Sequence, residues 1–186
     1  MQRTWYALCA LVIVLAYIAW GTLEASAEDE LTEADFQQMG SKYGVSPYVL
    51  LAISEVESQH GTLLGEKKVY EAVTGRQMRY LEKIARHTGR DLADFRGSSA
   101  GAMGQMQIMP STFYTYGQDG NGDGLKDPLN PQDSLATAAY FLARTIAVKG
   151  SVRTALRSYN NSSVYCDEVL TLSKKMEMKS TFAAKQ

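Results

Sequence analysis

Apolar residues recur at helical spacing along most of the chain after residue 30, and this pattern predicts a mostly α-helical domain. The clearest apolar stripe lies in residues 46–61 and consists of Val49, Leu50, Ile53 and Val56. Ser46 is a natural N-cap for this helix, Pro47 suits its first position, and Gly61 lies past its end. Further helices are predicted over residues 31–44, 66–96, 130–149 and 151–159, with a last helix from Ser163 onward.

One carboxylate lies on the apolar stripe of residues 46–61. At about 100° per residue, Glu57 falls between Ile53 and Leu50, whereas Glu55 falls on the opposite side of the helix. A carboxylate on an apolar face costs free energy unless it is paired or kept neutral. Glu57 is therefore either a core residue bonded to a backbone amide or an arginine, or a general acid whose pKa is raised by desolvation.

A loop rich in small residues occupies positions 97–110, with the sequence GSSAGAMGQMQIMP. Small side chains leave its backbone open to close approach, and Pro110 is placed to restart a helix. Gln107 stands among methionines and an isoleucine, so its amide must be hydrogen-bonded. The segment alone allows two interpretations, a Gly-rich connector or a ligand-binding loop.

Residues 119–133, DGNGDGLKDPLNPQD, begin like the calcium-binding loop of an EF-hand. Side-chain oxygens at positions 1, 3 and 5 come from Asp119, Asn121 and Asp123, and Leu125 can offer its carbonyl at position 7. Position 12, where an EF-hand has a bidentate glutamate, is Asn130. The alternative is a turn rich in Asp, Asn and Gly that holds no ion.

The composition and the charge of the chain exclude several classes of function. The chain has 186 residues and a formal net charge of −1, so it is long enough for one well-packed domain and lacks the basic excess of a nucleic-acid-binding protein. Of its two cysteines, Cys9 lies near the N-terminus, and Cys166 alone would remain after removal of a leader. We therefore expect no disulfide, no Cys/His metal site and no nucleic-acid partner.

The ends of the chain differ from its middle. Residues 1–27 read as a signal peptide, because Arg3 precedes an apolar run and Ala25-Ser26-Ala27 supplies an A-x-A cleavage site. An uncleaved membrane anchor is the alternative, since the run is close to membrane-spanning length. We expect one domain over residues 28–172 and a flexible polar tail over 173–186, in an exported monomer that touches a membrane only through an uncleaved N-terminal segment.

Taken together, these segments resemble a known family. GSSAGAMGQMQIMPS, followed by DGNGDGLKDPLNPQD, is similar to the lytic murein transglycosylases of the membrane-bound type B kind. The resemblance runs from about Tyr48 to about Val169, and the motifs come in the family's order. It implies a mostly α, lysozyme-like single domain.

The resemblance also implies roles for particular residues. VESQHGTLLG, residues 56–65, matches the segment that carries the family's catalytic glutamate, and the match falls on Glu57, with Glu55 as the fallback. The positions that line the sugar cleft match Ser98, Gln107, Tyr159 and Asn160. The family's calcium loop places its final carboxylate three positions later than an EF-hand does, which here is Asp133.

The expected function is cleavage of the β-1,4 bond between N-acetylmuramic acid and N-acetylglucosamine in peptidoglycan, leaving 1,6-anhydromuramic ends. The loop motif of residues 97–110 contains no second carboxylate, whereas glycosidases that use water normally need two. A hydrolytic muramidase and an inactive wall module that binds peptidoglycan or calcium are the alternatives. The location expected for such a protein is the periplasm or envelope of a bacterium.

Overall fold

The computed structural model describes residues 30–183, so the expected signal peptide lies outside the described residues. Within that range, the chain forms eight α-helices and one two-stranded antiparallel sheet. The helices are α1 Glu33–Tyr43, α2 Pro47–Ser58, α3 Val69–Ala72, α4 Gly75–Thr88, α5 Pro110–Tyr116, α6 Pro131–Lys149, α7 Val152–Tyr159 and α8 Ser163–Ala183. The strands are β1 Lys67–Lys68 and β2 Arg96–Gly97. The predicted mostly α class is confirmed.

Several helices begin and end where their capping residues predict. The backbone N–H of Thr32 donates to the Asp35 carboxylate over 2.7 Å at the start of α1, and Gly44 ends that helix with φ +69°. Ser46 precedes α2 as its N-cap, but α2 ends at Ser58, earlier than Gly61. The next residue, Gln59, already has φ +48°, and this left-handed turn stops the helix.

Residues 66–96 form less helix than their apolar spacing predicts. The segment contains β1, the single turn of α3, α4 and a short 3-10 helix, Leu92–Asp94, before β2. Lys67 pairs with Gly97 across the small sheet, and the N–H of Val69 donates to the carbonyl of Phe95 over 2.9 Å. These long-range backbone bonds outweigh the local helical tendency of residues 66–74.

The core lies between the long helices. α2 packs against α1 and α8, and α6 packs against α1 and α7. Phe36, Leu50, Ile53, Leu135, Leu142 and Leu156 are among its fully enclosed side chains. Cys166 is also buried there as a free thiol. The arrangement holds α2 from several sides.

The last helix is longer than expected. The polar composition of residues 173–186 predicts a flexible tail, but α8 continues without a break to Ala183. Ser173 is buried and Met176 packs against the core, so this polar stretch still has an apolar face to cover. Among residues 30–183, no helix combines the length and the apolar character needed to cross a bilayer.

Candidate active site

Glu57 lies near the C-terminal end of α2 with its side chain half-buried. Burial raises the pKa of its carboxyl from 4.5 to about 7, and the hydroxyl of Tyr165 opposes this rise. Glu55 occupies the other side of the helix, where its carboxylate meets His60 Nε2 at 3.1 Å on a well-exposed surface. The raised pKa of Glu57 is what a general acid working near neutral pH requires.

Two tyrosines, Tyr159 and Tyr165, lie close to Glu57. Burial and the Glu57 charge raise the pKa of both Tyr159 and Tyr165, so both hydroxyls are neutral. Tyr159, at the end of α7, donates its hydroxyl hydrogen to the carbonyl of Met106 and so joins α7 to the glycine-rich loop. The Tyr165 hydroxyl, in α8, is buried without a well-formed hydrogen bond. It is the one polar side-chain atom of this kind among the described residues.

The glycine-rich loop is held in a compact form over the end of α2. Met103 and Ile108 bond to each other through both backbone pairs, and Gly97 lies so close to Ala102 that a Cβ at Gly97 would lie 1.9 Å from the Ala102 carbonyl oxygen. Gln107 adopts φ +46° and donates its side-chain amide to the carbonyls of Leu64 and Gly104, at 3.1 and 3.0 Å. The prediction that its amide is hydrogen-bonded is confirmed.

Gln105 is the glutamine that holds the loop against α2. It is buried, and its amide donates to the Ser54 hydroxyl over 2.9 Å. Its backbone carbonyl accepts the hydroxyl hydrogen of Ser58 over 2.7 Å. Ser54 and Ser58 flank Glu57 on α2, so these two bonds fix the backbone that carries the carboxyl.

The remaining predicted cleft residues make local contacts. The Ser98 hydroxyl accepts the backbone N–H of Ala102 over 3.1 Å within the loop. Asn160 is exposed just past α7, with its backbone N–H bonded to the carbonyl of Leu156. Neither side chain is hydrogen-bonded to Glu57. The structure thus brings both tyrosines to Glu57, and leaves the roles of Ser98, Gln107 and Asn160 in substrate binding as predictions.

The loop of residues 119–133 has the internal hydrogen bonds of an Asx-rich turn. The Asp119 carboxylate accepts the N–H groups of Gly122 and Gly124, at 2.6 and 2.8 Å, and Asp123 accepts that of Leu125 at 2.7 Å. Asn121 donates its side-chain amide to Asp123 over 2.9 Å. In residues 30–183, no three carboxylate, thiol or imidazole side chains converge as a preformed metal cluster.

Asp133 closes this loop from the first turn of α6. Its side chain is fully buried, and its two oxygens accept the N–H groups of Gly120 and Asp127, each at 2.7 Å. Burial raises the pKa of Asp133 despite these bonds. Asp127 itself pairs with Arg90, whose Nε lies 2.6 Å from Asp127 Oδ2, so its carboxylate is already engaged in an ion pair.

Sequence reasoning missed two residues of this site. Gln105 and Gln107 are both polar amides among methionines in the sequence. Their positions in the sequence do not reveal which of the two side chains is buried. Tyr165 belongs to α8, far from Glu57 in sequence, and only the packing of α8 on α2 brings the two together.

Comparison with known proteins identifies relatives of this arrangement. A family model described as the transglycosylase SLT domain matches residues 24–153. Membrane-bound lytic murein transglycosylase B of Escherichia coli (strain K12) is 30% identical over 121 residues, which make up 58% of this chain and 34% of that protein. The chain therefore spans about a third of the length of this curated relative.

Solved structures share the fold. The Escherichia coli lytic transglycosylase Slt35 in complex with calcium superposes with a TM-score of 0.70 and 18% identity, over 79% of this chain and 71% of that one. SltB3 from Pseudomonas aeruginosa in complex with NAG-anhNAM-pentapeptide gives a TM-score of 0.68 and 22% identity, over 77% of this chain and 60% of that one. These likenesses confirm the predicted lysozyme-like fold.

Proposed function

The chain belongs to the transglycosylase SLT domain family, and on this basis we propose that it is a lytic transglycosylase acting on peptidoglycan. It cleaves the β-1,4 bond between N-acetylmuramic acid and N-acetylglucosamine and leaves a 1,6-anhydromuramic end. The neighbour crystallised with NAG-anhNAM-pentapeptide supports a product of this kind. Glu57 is the catalytic acid and base.

The observation that carries the proposal is the state of the Glu57 carboxyl. With a pKa of about 7, this group is present both as the acid and as the carboxylate near neutral pH. The influences on its pKa are burial and the Tyr165 hydroxyl, with no second carboxylate of the described chain among them. Of the acids near the glycine-rich loop in sequence, Asp91 caps the 3-10 helix by accepting the N–H of Ala93, and Glu71 is exposed.

One carboxyl group suffices for a cleavage that uses no water. Glu57 gives its proton to the glycosidic oxygen as the bond from that oxygen to the anomeric carbon breaks. The 6-hydroxyl oxygen of the same muramic acid residue bonds to the anomeric carbon, and its proton passes to the Glu57 carboxylate. The acid is thereby restored. Intramolecular attack gains from proximity, so no separate base has to activate water.

The neighbouring residues position the substrate and the acid. Tyr165 places a neutral hydroxyl beside Glu57, where it can donate to the carboxylate formed in the first step. Tyr159 holds the glycine-rich loop to the wall of the cleft. Ser98, Gln107 and Asn160 bind sugar hydroxyl and acetamido groups. Ser98 and Gln107 already bond to the loop backbone and keep unused acceptor capacity for a ligand.

Mass analysis of the products tests this function. Purified peptidoglycan digested by the protein should release muropeptides about 18 Da lighter than hydrolytic products, because no water enters the bond. Products with only reducing ends would overturn the proposal in favour of a muramidase. No release at all, from wild-type protein that still binds peptidoglycan, would leave a wall-binding module.

We propose further that the loop of residues 119–133 binds one calcium ion with a structural role. Its donors are the side-chain oxygens of Asp119, Asn121, Asp123 and Asp133 and the carbonyl of Leu125. This set contains only oxygen atoms, as Ca²⁺ prefers. The carboxylates that accept loop N–H groups keep further lone pairs for a cation, so the internal bonds and the ion are compatible. The calcium complex of Slt35 supports the same ion here.

Location follows from substrate. A protein that cuts peptidoglycan must reach the bacterial envelope, and we propose that residues 1–27 direct its export to the periplasm or cell envelope. Fusion of residues 1–27 to a reporter that is active only outside the cytoplasm tests this. An inactive fusion would overturn it.

A further inference from the structure

A cavity of about 520 Å³ opens between the C-terminal half of α4 and α5, apart from the residues around Glu57. Its walls carry Lys83, Arg86 and His87 from α4 and Lys126 from the calcium loop. Among the residues that the structure describes, no acidic side chain lines it. From sequence the charges of α4 are most simply a solvated face, but the fold gathers Lys83, Arg86 and Lys126 around one concave surface.

The cations of this cavity are uncompensated. Within residues 30–183, Lys83, Arg86 and Lys126 take part in none of the ion pairs. The whole chain has a net charge of −1, so this positive cavity stands out from a nearly neutral protein. Like charges at helical spacing repel one another, and a cleft lined by one sign of charge concentrates counter-ions. The cavity therefore favours an anionic ligand.

The backbone on both sides of Lys126 is hydrogen-bonded. The next residue, Asp127, is buried and forms its ion pair with Arg90 at the end of α4, with Arg90 Nε at 2.6 Å. The Asp127 N–H is bonded to Asp133. Lys83 in turn lies over the ring of Tyr114, with Nζ 4.9 Å from the ring centroid. These contacts position the backbone of Lys126 and the ammonium group of Lys83 at the cavity wall, and the side chains of all three cations are exposed and open to a ligand.

Apolar surface forms the rest of the wall. Ile84 and Phe113 line the cavity, and Tyr114 is 49% exposed at its rim, where its ring lies 4.9 Å from that of Tyr80. A free inorganic anion would leave these surfaces unused. A ligand with several carboxylates separated by small apolar groups would use both kinds of wall.

We propose that this cavity binds the acidic peptide stems that hang from the muramic acid residues of peptidoglycan. Such stems carry free carboxylates alternating with alanine methyl groups. The glycine-rich loop leads through Pro110 directly into α5, which forms one wall of the cavity. This helix therefore links the loop that packs on α2 with the wall of the cavity.

This inference rests on the proposed function for its choice of ligand, and binding can be measured without catalysis. The probe is a synthetic stem peptide with free carboxylates, titrated into the full mature chain by calorimetry. The same peptide with its carboxylates amidated and inorganic phosphate serve as comparison probes. The test variant is Lys83→Gln/Arg86→Gln/Lys126→Gln, and the charge-matched control is Lys174→Gln/Lys175→Gln/Lys179→Gln on the exposed side of α8.

The acidic peptide should bind the wild type and the control, and bind the test variant at least about tenfold more weakly, since up to three charge-assisted bonds are lost. The amidated peptide and phosphate should bind the wild type more weakly than the acidic peptide. Equal binding of the amidated peptide, tighter binding of phosphate, or an unchanged affinity in the test variant would each overturn the proposal. If the triple variant does not fold, Lys126→Gln alone replaces it, with a smaller loss expected.

A second measurement separates this inference from the proposed function. On peptidoglycan that carries its stems, the test variant should show a raised KM with little change in kcat, and on glycan strands stripped of peptide it should match the wild type. Equal KM values on both substrates would overturn a role for the cavity in substrate binding. Wild-type protein that cleaves neither substrate would overturn the proposed function, while the calorimetry still decides whether the peptide binds.

Discussion

The Tyr165 hydroxyl in α8 and the Glu57 carboxyl in α2 perturb each other's proton affinity across the packed faces of two helices. Tyr165 lowers the pKa of Glu57, while burial raises it more strongly. The hydroxyl has no well-formed hydrogen bond of its own, so its donor is available when Glu57 becomes charged. A buried donor without a partner costs about 1–3 kcal/mol, and a cost of this kind is characteristic of sites that bind a transition state.

Replacement of Glu57, the proposed catalytic acid, is the first test. Glu57→Gln should retain the fold and reduce cleavage of peptidoglycan by about 10² to 10⁴-fold or more, because the essential proton transfer is lost. The matched control is Glu55→Gln on the same helix, which removes only the exposed contact with His60 and should leave activity close to wild type. If Glu55→Gln is the inactive variant, the assignment of the acid is wrong.

Glu57→Gln should also change the pH dependence of stability. The pKa of Glu57 is about 7 in the folded protein and 4.5 as the reference for the unfolded chain, so the folded state binds more protons between these values. The free energy of unfolding should therefore fall as the pH rises from about 4.5 to 7, by up to about 3 kcal/mol. Glu57→Gln removes this loss. Its melting temperature should exceed that of the wild type at pH 8 and approach it at pH 4, and equal melting temperatures at pH 8 would contradict the raised pKa.

Tyr165→Phe should move the pH profile of activity. The acid form of Glu57 must be present, so kcat/KM of the wild type should fall as the pH rises through about 7. Removal of the hydroxyl takes away the influence that lowers this pKa, and the alkaline limb should shift to higher pH. Because the lost hydroxyl has no good partner, the melting temperature should not fall.

Tyr159→Phe is the matched control for that experiment. Its hydroxyl donates to the Met106 carbonyl, so its loss leaves a carbonyl without a partner and should cost about 1 kcal/mol of stability. A loss of stability in Tyr165→Phe as large as in Tyr159→Phe would show that the Tyr165 hydroxyl has a structural partner after all.

The two glutamines of the loop should behave differently. Gln105→Ala removes the buried amide that donates to the Ser54 hydroxyl and leaves that hydroxyl only its contact with His60 Nδ1 at 3.2 Å, so it should cost about 1–3 kcal/mol of unfolding free energy. Gln107→Asn keeps a residue that tolerates positive φ, so it should cost less than about 1 kcal/mol and chiefly reduce activity. Thermal melts and activity assays of both variants measure this contrast. A larger loss of stability in Gln107→Asn would reverse the roles given to the two residues.

Calcium should stabilise the folded protein. Added to chelated protein at about 100 times its Kd, an ion that binds only the folded state contributes about 2.7 kcal/mol and raises the melting temperature. Asp123→Ala should abolish this rise, whereas Glu177→Ala, an exposed acid on α8, should keep it. A melting temperature unchanged by millimolar calcium in the wild type would count against the site.

The sequence predicts the helices of this fold well where capping and periodicity act locally. Helix α1 begins after Thr32 and ends at Gly44, and α2 begins after Ser46, as expected. Each of these residues acts on the backbone of its own turn. The segment 66–96 is predicted less well, since the pairing of β1 with β2 depends on residues that only tertiary folding brings together. The polarity of the last residues hides the continuation of α8, because a single apolar side chain, Met176, carries its buried face onward.

In the candidate site, too, local patterns predict some residues, and residues that only tertiary packing brings together are missed. The apolar stripe of α2 singles out Glu57 from the sequence alone, because helical periodicity places it on the buried face. Tyr165 cannot be found in this way, since no local pattern links α8 to α2. The cavity beside the loop of residues 119–133 likewise cannot be found from the sequence, where the whole glycine-rich segment separates Lys83 from Lys126.

The packing of α8 on α2 also bears on the biosynthesis of the protein. Translation makes α2 early and α8 late, so a nascent chain that has not reached Ser163 contains Glu57 without Tyr165 and without the surface that α8 buries. Its glutamate would then be a solvated carboxylate with little tendency to hold a proton at neutral pH. The proposed glycan-cutting activity depends on that proton, so it would begin only when α8 has been synthesised and has docked.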